Sequence, residues 1–173
     1  MSTTSTPEKV KILGPGPARA KLRRIAYEVY EANFGLRELV IVGLNDRGAS
    51  LAAQLAEVLT DISPIKISPL RARMNDETES VNLLDDNASE VIKGKVVLIV
   101  DDVLYSGRTM FHAIASVMEH SPSRVQTAVL IDRGHRNIPV THDYVGMLLA
   151  TSLKQHVSVE ISPEDHSATA YLL

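Results

Sequence analysis

The stretch that decides the fold is Val96–Thr109, which reads VVLIVDDVLYSGRT. Its first part, Val96–Val100, is wholly apolar and has the composition of a strand buried on both faces. Two adjacent carboxylates, Asp101 and Asp102, come next, and a loop of hydroxyl and glycine residues, Ser106–Thr109, opens a predicted helix. The stretch therefore predicts a strand that brings two acids and a helix N-terminus to one edge of a sheet.

Apolar runs and amphipathic segments alternate on both sides of this stretch. Short, compact apolar runs indicate buried strands, and apolar residues at helical spacing indicate helices with one buried face. Strands that alternate with helices imply right-handed crossovers, so we predict an α/β fold with a mostly parallel, twisted sheet flanked by helices. The predicted strands are Leu39–Leu44, Ile65–Ser68, Val125–Ile131 and Tyr144–Leu149, the predicted helices are Ala18–Asn33, Leu51–Leu59 and Thr109–Glu119, and a C-terminal β-hairpin pairs Val157–Ile161 with Ala168–Leu172.

The 173 residues have the length of one domain, to which we assign residues 18–173. Residues 1–17 are small, polar and rich in Pro and Gly, which is typical of a mobile N-terminal arm. The segment Pro69–Gly94 carries many charges and little periodicity. We interpret that segment as a long excursion that contains a flexible loop or a hairpin.

Composition excludes several classes of protein. The sequence has no cysteine, which excludes disulfides, thiolate metal sites and thiol catalysis and agrees with a cytoplasmic location. It has no apolar run of about 18 residues, so we expect no membrane partner. A net charge of −3 gives no overall attraction to nucleic acid, although a local basic patch stays compatible with it.

The acids and the loop that follows them suit the two ends of a phosphorylated sugar. In an open α/β sheet, ligands bind beyond the carboxyl ends of the strands. If the strand breaks after Val100, both Asp101 and Asp102 can face that crevice and accept hydrogen bonds from ribose hydroxyls. Free amides at the start of the next helix form an anion site, to which the hydroxyls of Ser106 and Thr109 add donors. The alternative is that the acids merely end a strand and cap a helix, but the complete spacing favours a binding site.

The same stretch resembles the phosphoribosyl-diphosphate (PRPP) binding motif of type I phosphoribosyltransferases. Together with AVLIDRGHR (Ala128–Arg136) and DYVG (Asp143–Gly146), it resembles the PyrR family. Members of that family resemble uracil phosphoribosyltransferases, and many regulate pyrimidine operons by binding mRNA. The segments Arg19–Asn33 and Val42–Gly48 lie where that family has its first helix and its pyrophosphate loop. The resemblance extends from Arg19 to about Ser162, is weakest in Lys66–Lys93, and implies the type I fold with a small hood.

The resemblance implies that PRPP binds along the quoted stretch and at a second loop. Asp101 and Asp102 would be catalytic, and the pyrophosphate loop would need an unusual backbone conformation such as a cis non-proline peptide. The alternative interpretation of that second loop is an ordinary turn between a strand and a helix. The residues implied for ribose and 5′-phosphate are Asp101, Asp102, Val103, Leu104, Tyr105, Ser106, Gly107, Arg108 and Thr109, and those of the pyrophosphate loop are Asn45, Asp46, Arg47 and Gly48.

Two further groups of residues are implied near the base and above the site. Arg133 would reach the base or the pyrophosphate, and Tyr144, Val145 and Gly146 would border the base. Arg71 and Arg73 would belong to a mobile loop that closes over the pyrophosphate. Each of these also has a simpler interpretation. Arg133 could belong to a salt-bridged surface turn, Tyr144 could serve packing, and Arg71 and Arg73 could be solvated charges. The segment SPLRARMND (Ser68–Asp76) departs from the family because it lacks the Tyr-Arg-Asp-Asp signature of that loop.

We hypothesise that the reaction transfers ribose 5-phosphate from PRPP to a nucleobase, with uracil favoured and UMP as the product. Positive charge would grow at C1 while pyrophosphate leaves, so catalysis would consist of positioning and electrostatic stabilisation. Mg²⁺ would bind with PRPP, bridging its oxygens, and no metal site is expected that is held by protein alone. The implied partners are PRPP and a nucleobase, and a homodimer or a higher homo-oligomer is expected.

Three alternatives share this site. The protein could be a PyrR-type RNA-binding regulator with weak or no catalysis, a phosphoribosyltransferase for a purine base, or an inactive sensor of PRPP. Several positions where the family carries RNA-binding residues are altered, and each lost phosphate contact weakens RNA binding. The sequence therefore favours catalysis over specific mRNA binding. The basic or polar positions that remain are Arg19, Arg23, Arg24, His135 and Arg136, and the altered ones are Tyr27, Thr141 and Met147.

Overall fold

The chain is built on a six-stranded sheet, with a second sheet of three strands at one end. The structure, a computed structural model, describes residues 9–173. In chain order the elements are β1 (Val10–Leu13), α1 (Pro15–Ala32), β2 (Glu38–Leu44), α2 (Asn45–Ile62), β3 (Lys66–Asn75), β4 (Ser80–Leu83), α3 (Ala88–Ile92), β5 (Val96–Leu104), α4 (Arg108–Met118), β6 (Arg124–Asp132), β7 (Tyr144–Leu148), β8 (Val157–Ile161) and β9 (Ala168–Leu172).

The six strands follow the order β4-β3-β2-β5-β6-β7, and every pairing is parallel except that of β3 with β4. This arrangement confirms the prediction of an α/β fold with a mostly parallel sheet. The apolar run Val96–Val100 lies near the middle of the sheet between β2 and β6, as its composition predicts. The carboxyl ends of β2, β5 and β6 consequently lie at the same edge.

Alternate residues of the central strands supply two hydrophobic cores. Leu98 and Val100 of β5 face α1 and α2, whereas Val97 and Ile99 face α3 and α4. Helices thus cover both faces of the sheet, and this packing fixes the position of the strand ends that carry the site. Within residues 9–173, no helix combines the length and the apolar character that a membrane crossing requires.

The second sheet, which we call the hood, has the order β1-β9-β8. It confirms the predicted C-terminal hairpin and corrects the interpretation of residues 1–17 as an arm. Val10–Leu13 pairs with β9, and Pro15 begins α1, because an apolar Leu13 and a proline at the first helical turn favour those elements. The remainder of the predicted arm, residues 1–8, lies outside the described residues.

The excursion Pro69–Gly94 is a hairpin followed by a short helix. The strand β3 continues through Pro69 to Asn75, where β4 turns back along it. Pro69 is tolerated because β4 pairs only from Ala72 onward, so β3 is an edge strand at the proline. Arg71 and Arg73 therefore lie in a strand and not in the predicted mobile loop. The alternation of buried Leu70 and Ala72 with these arginines is the signal that indicates a strand.

Candidate functional site

The site lies where β2 and β5 end and α2 begins. The helix α2 starts at Asn45, directly after β2, so the predicted turn Asn45–Gly48 is its first turn. Gly48 touches the neighbouring strand: a Cβ atom added there would lie 2.6 Å from the carbonyl oxygen of Val100 and 3.3 Å from Cα of Asp101. The absence of a side chain at Gly48 therefore lets the two predicted parts of the site come together.

Asp101 and Asp102 are both buried residues of β5. The strand continues to Leu104, which corrects the expectation that it breaks after Val100, and Val103 and Leu104 are strand residues. Asp101 is 8% exposed, and its Oδ1 accepts a hydrogen bond of 2.9 Å from the amide of Asp102. Asp101 therefore holds the main chain of Asp102.

Asp102 is 9% exposed and pairs with an arginine at the surface of the site. Its Oδ2 lies 2.8 Å from Nε of Arg47, whose side chain is 59% exposed whereas that of Asp102 is 12% exposed. Arg47 can therefore move into solvent, but a ligand that displaces it must satisfy the buried carboxylate in its place.

Electrostatics distinguish the two acids. Burial raises the pKa of Asp101 well above its ordinary value, the charge and hydrogen bond of Asp102 raise it further, and the Asp102 amide and Arg47 partly offset this. Two carboxylates this close resist ionising together. Asp101 consequently tends to keep its proton beside Asp102.

The segment Tyr105–Thr109, which we call the phosphate loop, has unused donors. The amides of Ser106, Gly107 and Thr109 donate no hydrogen bond to any residue in the described range 9–173. Gly107 is left-handed, with φ of 85°, and precedes the first residue of α4. Free amides at the start of a helix bind anions, so the geometry agrees with the sequence prediction for a phosphate.

The pyrophosphate loop is strained in φ and not at a peptide bond. Asn45 has a φ of 55°, and the described residues contain no cis peptide bond, which corrects the expectation of one. The side chain of Asn45 compensates locally because its Oδ1 accepts a hydrogen bond of 3.0 Å from the amide of Met74. Asn is among the residues that tolerate this conformation best.

Ion pairs tie the β3–β4 hairpin to both loops. Nη2 of Arg73 lies 2.8 Å from Oδ1 of Asp46, and Nη1 of Arg108 lies 3.2 Å from Oε1 of Glu79 at the tip. The side chain of Arg71 instead lines a cavity beside α2, together with Asp46. Arg73 thus contacts the first turn of α2, and the cavity that Arg71 lines also includes Asp46 of that turn.

Arg133 is buried and already bound, which differs from its predicted role as a free ligand for base or pyrophosphate. Its Nε donates to Oγ1 of Thr151 at 3.1 Å, and its Nη2 donates to the carbonyl oxygen of Gln155. The guanidinium also stacks on the ring of Tyr105, 4.1 Å from the centroid. Arg133 therefore supports Tyr105 and the wall of a cavity of about 380 Å³ that it lines with Thr151.

The segment Tyr144–Gly146 is not brought to the edge of the site. Tyr144 begins β7 and is buried, and its hydroxyl accepts a hydrogen bond of 2.9 Å from Gln126. The carbonyl oxygens of Val145 and Gly146 accept from Nη2 of Arg24, at 2.8 Å each. These three residues serve packing, which is the simpler interpretation of the sequence.

A buried acid at the end of β6 anchors a loop beside the site. Oδ2 of Asp132 lies 2.5 Å from Nη2 of Arg136 and 2.8 Å from Nδ1 of His142, and its Oδ1 accepts from the amide of Gly134. Burial alone would raise the pKa of Asp132, but these hydrogen bonds outweigh it and hold the pKa below its ordinary value. The sequence analysis does not identify His142, because its contact with Asp132 depends on the path of the intervening loop.

No cluster of three or more His, Cys, Asp or Glu side chains suited to a metal ion occurs within residues 9–173. The carboxylates of Asp101 and Asp102 are nevertheless hard oxygen donors, which Mg²⁺ prefers. The donor set therefore fits a Mg²⁺ ion that takes most of its ligands from the phosphates of a substrate.

Comparisons with known proteins agree with this geometry. Residues 11–164 match the family described as "Phosphoribosyl transferase domain". The chain is 38% identical over 175 residues to "Bifunctional protein PyrR" of Clostridium acetobutylicum, covering 95% of this chain and 98% of that protein. It is also 38% identical over 174 residues to the protein of that name from Pelotomaculum thermopropionicum, covering 96% of each. Among solved structures, the hypoxanthine phosphoribosyltransferase of Trypanosoma cruzi in complex with the product IMP is similar, with a TM-score of 0.67, 26% identity, and 82% and 80% of the two chains covered.

Proposed function

Because this chain belongs to the phosphoribosyltransferase family, and within it to the PyrR-like proteins, we propose that it transfers ribose 5-phosphate from PRPP to uracil. The products are UMP and pyrophosphate. The protein is an enzyme of the pentosyl-transferring class, and a cytoplasmic location and a homo-oligomeric state stay predictions.

One juxtaposition supports the proposal above all. Asp102 lies at the end of β5, the free amides of the phosphate loop lie a few residues beyond it, and the first turn of α2 touches both β5 and Asp102. A sugar held by its hydroxyls at Asp102 and by its phosphate at Ser106–Thr109 would present C1 toward the pyrophosphate loop. That is the arrangement that transfer at C1 requires.

In this proposal the carboxylates position the sugar and stabilise charge. Asp102 accepts hydrogen bonds from the ribose hydroxyls, and Asp101 fixes the main chain beneath it. As pyrophosphate leaves, the sugar becomes oxocarbenium-like, and negative potential from the acids stabilises it. No nucleophilic side chain is needed, because the nitrogen of the base attacks C1 directly.

Arg47 takes the leaving group. It pairs with Asp102 from an exposed position, and PRPP can replace it because the ribose hydroxyls would satisfy the buried carboxylate instead. Pyrophosphate carries more charge than a carboxylate and offers bidentate geometry to a guanidinium. We therefore propose that Arg47 exchanges Asp102 for pyrophosphate when PRPP binds, which frees Asp102 for the ribose. Asp102 would also help to hold a Mg²⁺ ion that arrives with PRPP, and that ion would neutralise the developing negative charge.

The proposal is tested by incubating the protein with PRPP, Mg²⁺ and single bases, with chromatographic detection of nucleotide and pyrophosphate. We expect UMP from uracil, at a rate well above that with hypoxanthine, guanine or adenine. Purine nucleotide in excess of UMP would move the assignment to a purine base. Absence of any nucleotide, while PRPP still binds, would leave an inactive sensor and contradict the proposed reaction.

RNA binding is the second candidate function, and one observation favours it. Arg23 and Tyr27 form an exposed pair on α1, with the guanidinium carbon 5.5 Å from the ring centroid and Tyr27 48% exposed. Arginine beside an exposed aromatic ring is a surface that binds unpaired bases. Arg24 and Arg136, however, donate hydrogen bonds to carbonyl groups of the protein itself. A gel-shift titration against pyrimidine-operon leader RNA, repeated at several salt concentrations, separates the two functions.

A further inference from the structure

One arginine side chain, that of Arg136, contacts the carbonyl side of the phosphate loop, beside main-chain amides of the segment that carries it. We propose that Arg136 is a positioning residue for PRPP: it fixes the main chain of the phosphate loop so that the free amides stay aimed at the 5′-phosphate. The inference rests on the proposed function, since it concerns the same site.

Each nitrogen of Arg136 has a partner. Nη1 donates to the carbonyl oxygen of Tyr105 at 2.8 Å, Nε donates to that of Val140 at 2.7 Å, and Nη2 lies 2.5 Å from Asp132. The side chain is 21% exposed. The planar guanidinium therefore bridges three segments at fixed angles, which a lysine cannot reproduce.

The segment around Arg136 also occupies the neighbouring carbonyl groups. The amide of Arg133 donates to Leu104 at 3.0 Å, and those of Asn137 and Ile138 donate to Ser106 at 2.9 and 3.2 Å. Three consecutive carbonyl groups, of residues 104, 105 and 106, thus point toward residues 133–138. In a trans peptide unit the N–H points away from the C=O. The amides of Ser106 and Gly107, which share peptide units with these carbonyl groups, therefore point away from residues 133–138, and they donate to no residue of the described chain.

The Arg136 side chain, which clamps the phosphate loop, is itself held in place by Asp132. Asp132 is buried and receives Arg136, His142 and the amide of Gly134 at once. Arg136 is consequently ordered before any ligand arrives, and a binding group held in advance costs nothing to order at the moment of reaction. Contact is also tight on the glycine side, because a Cβ atom on Gly107 would lie 3.1 Å from the carbonyl oxygen of Ile138.

Loss of a purely structural residue would alter stability and all the kinetic constants. Loss of a positioning residue would mainly weaken the binding of one ligand, PRPP. Arg24 offers a matched control, since it also donates to two carbonyl groups, those of Val145 and Gly146, but on the edge strand β7 and not on the phosphate loop. We therefore compare Arg136→Met and Arg136→Lys with Arg24→Met. The lysine variant keeps the charge beside Asp132 and guards against failure of the methionine variant to fold.

Three quantities are measured on each variant: the Kd of PRPP with Mg²⁺ by calorimetry, the separate KM values for PRPP and uracil with kcat, and amide hydrogen exchange. For the Arg136 variants we expect the Kd and KM of PRPP to rise about 10- to 100-fold, as for groups that orient metal ligands. The KM of uracil and the kcat at saturating PRPP should change less than about threefold, because the reacting groups are intact. Exchange at Asn137 and Ile138 should accelerate about tenfold as the clamp opens, and Arg24→Met should alter none of these values.

The outcomes separate this inference from the proposed function. Arg136 variants that bind PRPP as tightly as the wild type, or that lose kcat with no change in the KM of PRPP, would overturn the positioning role alone. A wild-type protein that binds PRPP but forms no nucleotide would overturn the proposed function alone, and the calorimetric comparison would still decide the role of Arg136.

Discussion

The Asp102→Asn variant is expected to lose about 10²-fold in transfer rate, the usual cost of removing one preorganised electrostatic contact from an active site. Asn keeps the shape of the side chain but loses the negative charge that would face the cationic sugar. It also no longer holds Arg47, so the loss should appear in kcat/KM for PRPP and leave the fold intact. Steady-state kinetics with PRPP and uracil measure the effect.

Asp101→Asn should lower activity as well, but it should raise stability. In the folded protein, burial and the neighbouring Asp102 raise the pKa of Asp101 above its ordinary value of 3.8. As pH rises past 3.8, the unfolded chain therefore releases this proton while the folded protein keeps it. The folded state then binds more protons, and the free energy of unfolding falls as pH rises from that value toward the raised pKa. Asn does not titrate, so the variant should gain about 1.4 kcal/mol over the wild type per unit of pKa difference.

Denaturant unfolding of the protein without PRPP at pH 4 and pH 8 checks this sign. The two proteins should have similar stability at pH 4, and Asp101→Asn should be the more stable at pH 8. The matched control is Asp61→Asn, which removes an exposed carboxylate at the end of α2 and should change stability by less than about 0.5 kcal/mol. Unchanged activity in both Asp101→Asn and Asp102→Asn would contradict their assignment to the site.

The second large effect is expected at Gly48. In Gly48→Ala the new methyl group would lie 2.6 Å from the carbonyl oxygen of Val100, and because the obstacle is backbone, the first turn of α2 must move. Overpacking of this kind costs about 1–3 kcal/mol. A displacement of about 1 Å in a catalytic loop can cost about 10²-fold in rate. We therefore expect a large loss of kcat/KM together with a lower denaturation midpoint.

Gly16→Ala is the matched control, since Gly16 also lies in the first turn of a helix but has no atom within 4 Å of an added Cβ. That variant should be neutral or gain up to about 1 kcal/mol from the higher helix propensity of alanine. If Gly48→Ala behaved like Gly16→Ala, the contact between the pyrophosphate loop and β5 would have no functional role.

Local patterns in the sequence are sufficient to predict most strands of the central sheet. Val96–Val100 is apolar throughout and Val125–Ile131 is apolar except at Gln126 and Thr127, which fits strands covered on both faces, and the structure has β5 and β6 there. The spacing of the phosphate loop likewise predicts free amides before α4. These features depend on neighbours in the chain, so a sequence pattern can carry them.

Features that depend on distant partners were missed. The strand β1 has only four residues and forms because β9, near the other end of the chain, offers an edge. The extension of β5 through Asp101 and Asp102 depends on pairing with β6, which overrides the expectation that charges end a strand. No local pattern contains either partner.

The orientation of polar side chains was the least predictable part of the site. Arg133 has a suitable type and position for a ligand, yet contacts with Thr151, Gln155 and Tyr105 occupy it. Arg136 has the same composition signal and instead faces the phosphate loop. Which arginine supports the phosphate loop and which supports the cavity beside Thr151 depends on the path of residues 132–142, and that path is set by tertiary contacts with Asp132.

The central claim is that Asp102 and the phosphate-loop amides hold opposite ends of one sugar phosphate. An NMR titration with ribose 5-phosphate and with inorganic phosphate tests it most directly, using the amide signals of Ser106, Gly107 and Thr109 in wild type and Asp102→Asn. We predict that both ligands shift these signals, and that Asp102→Asn weakens ribose 5-phosphate to the affinity of inorganic phosphate while leaving inorganic phosphate unaffected. Signals that do not move with either ligand, or equal affinities for ribose 5-phosphate in the two proteins, would contradict the claim.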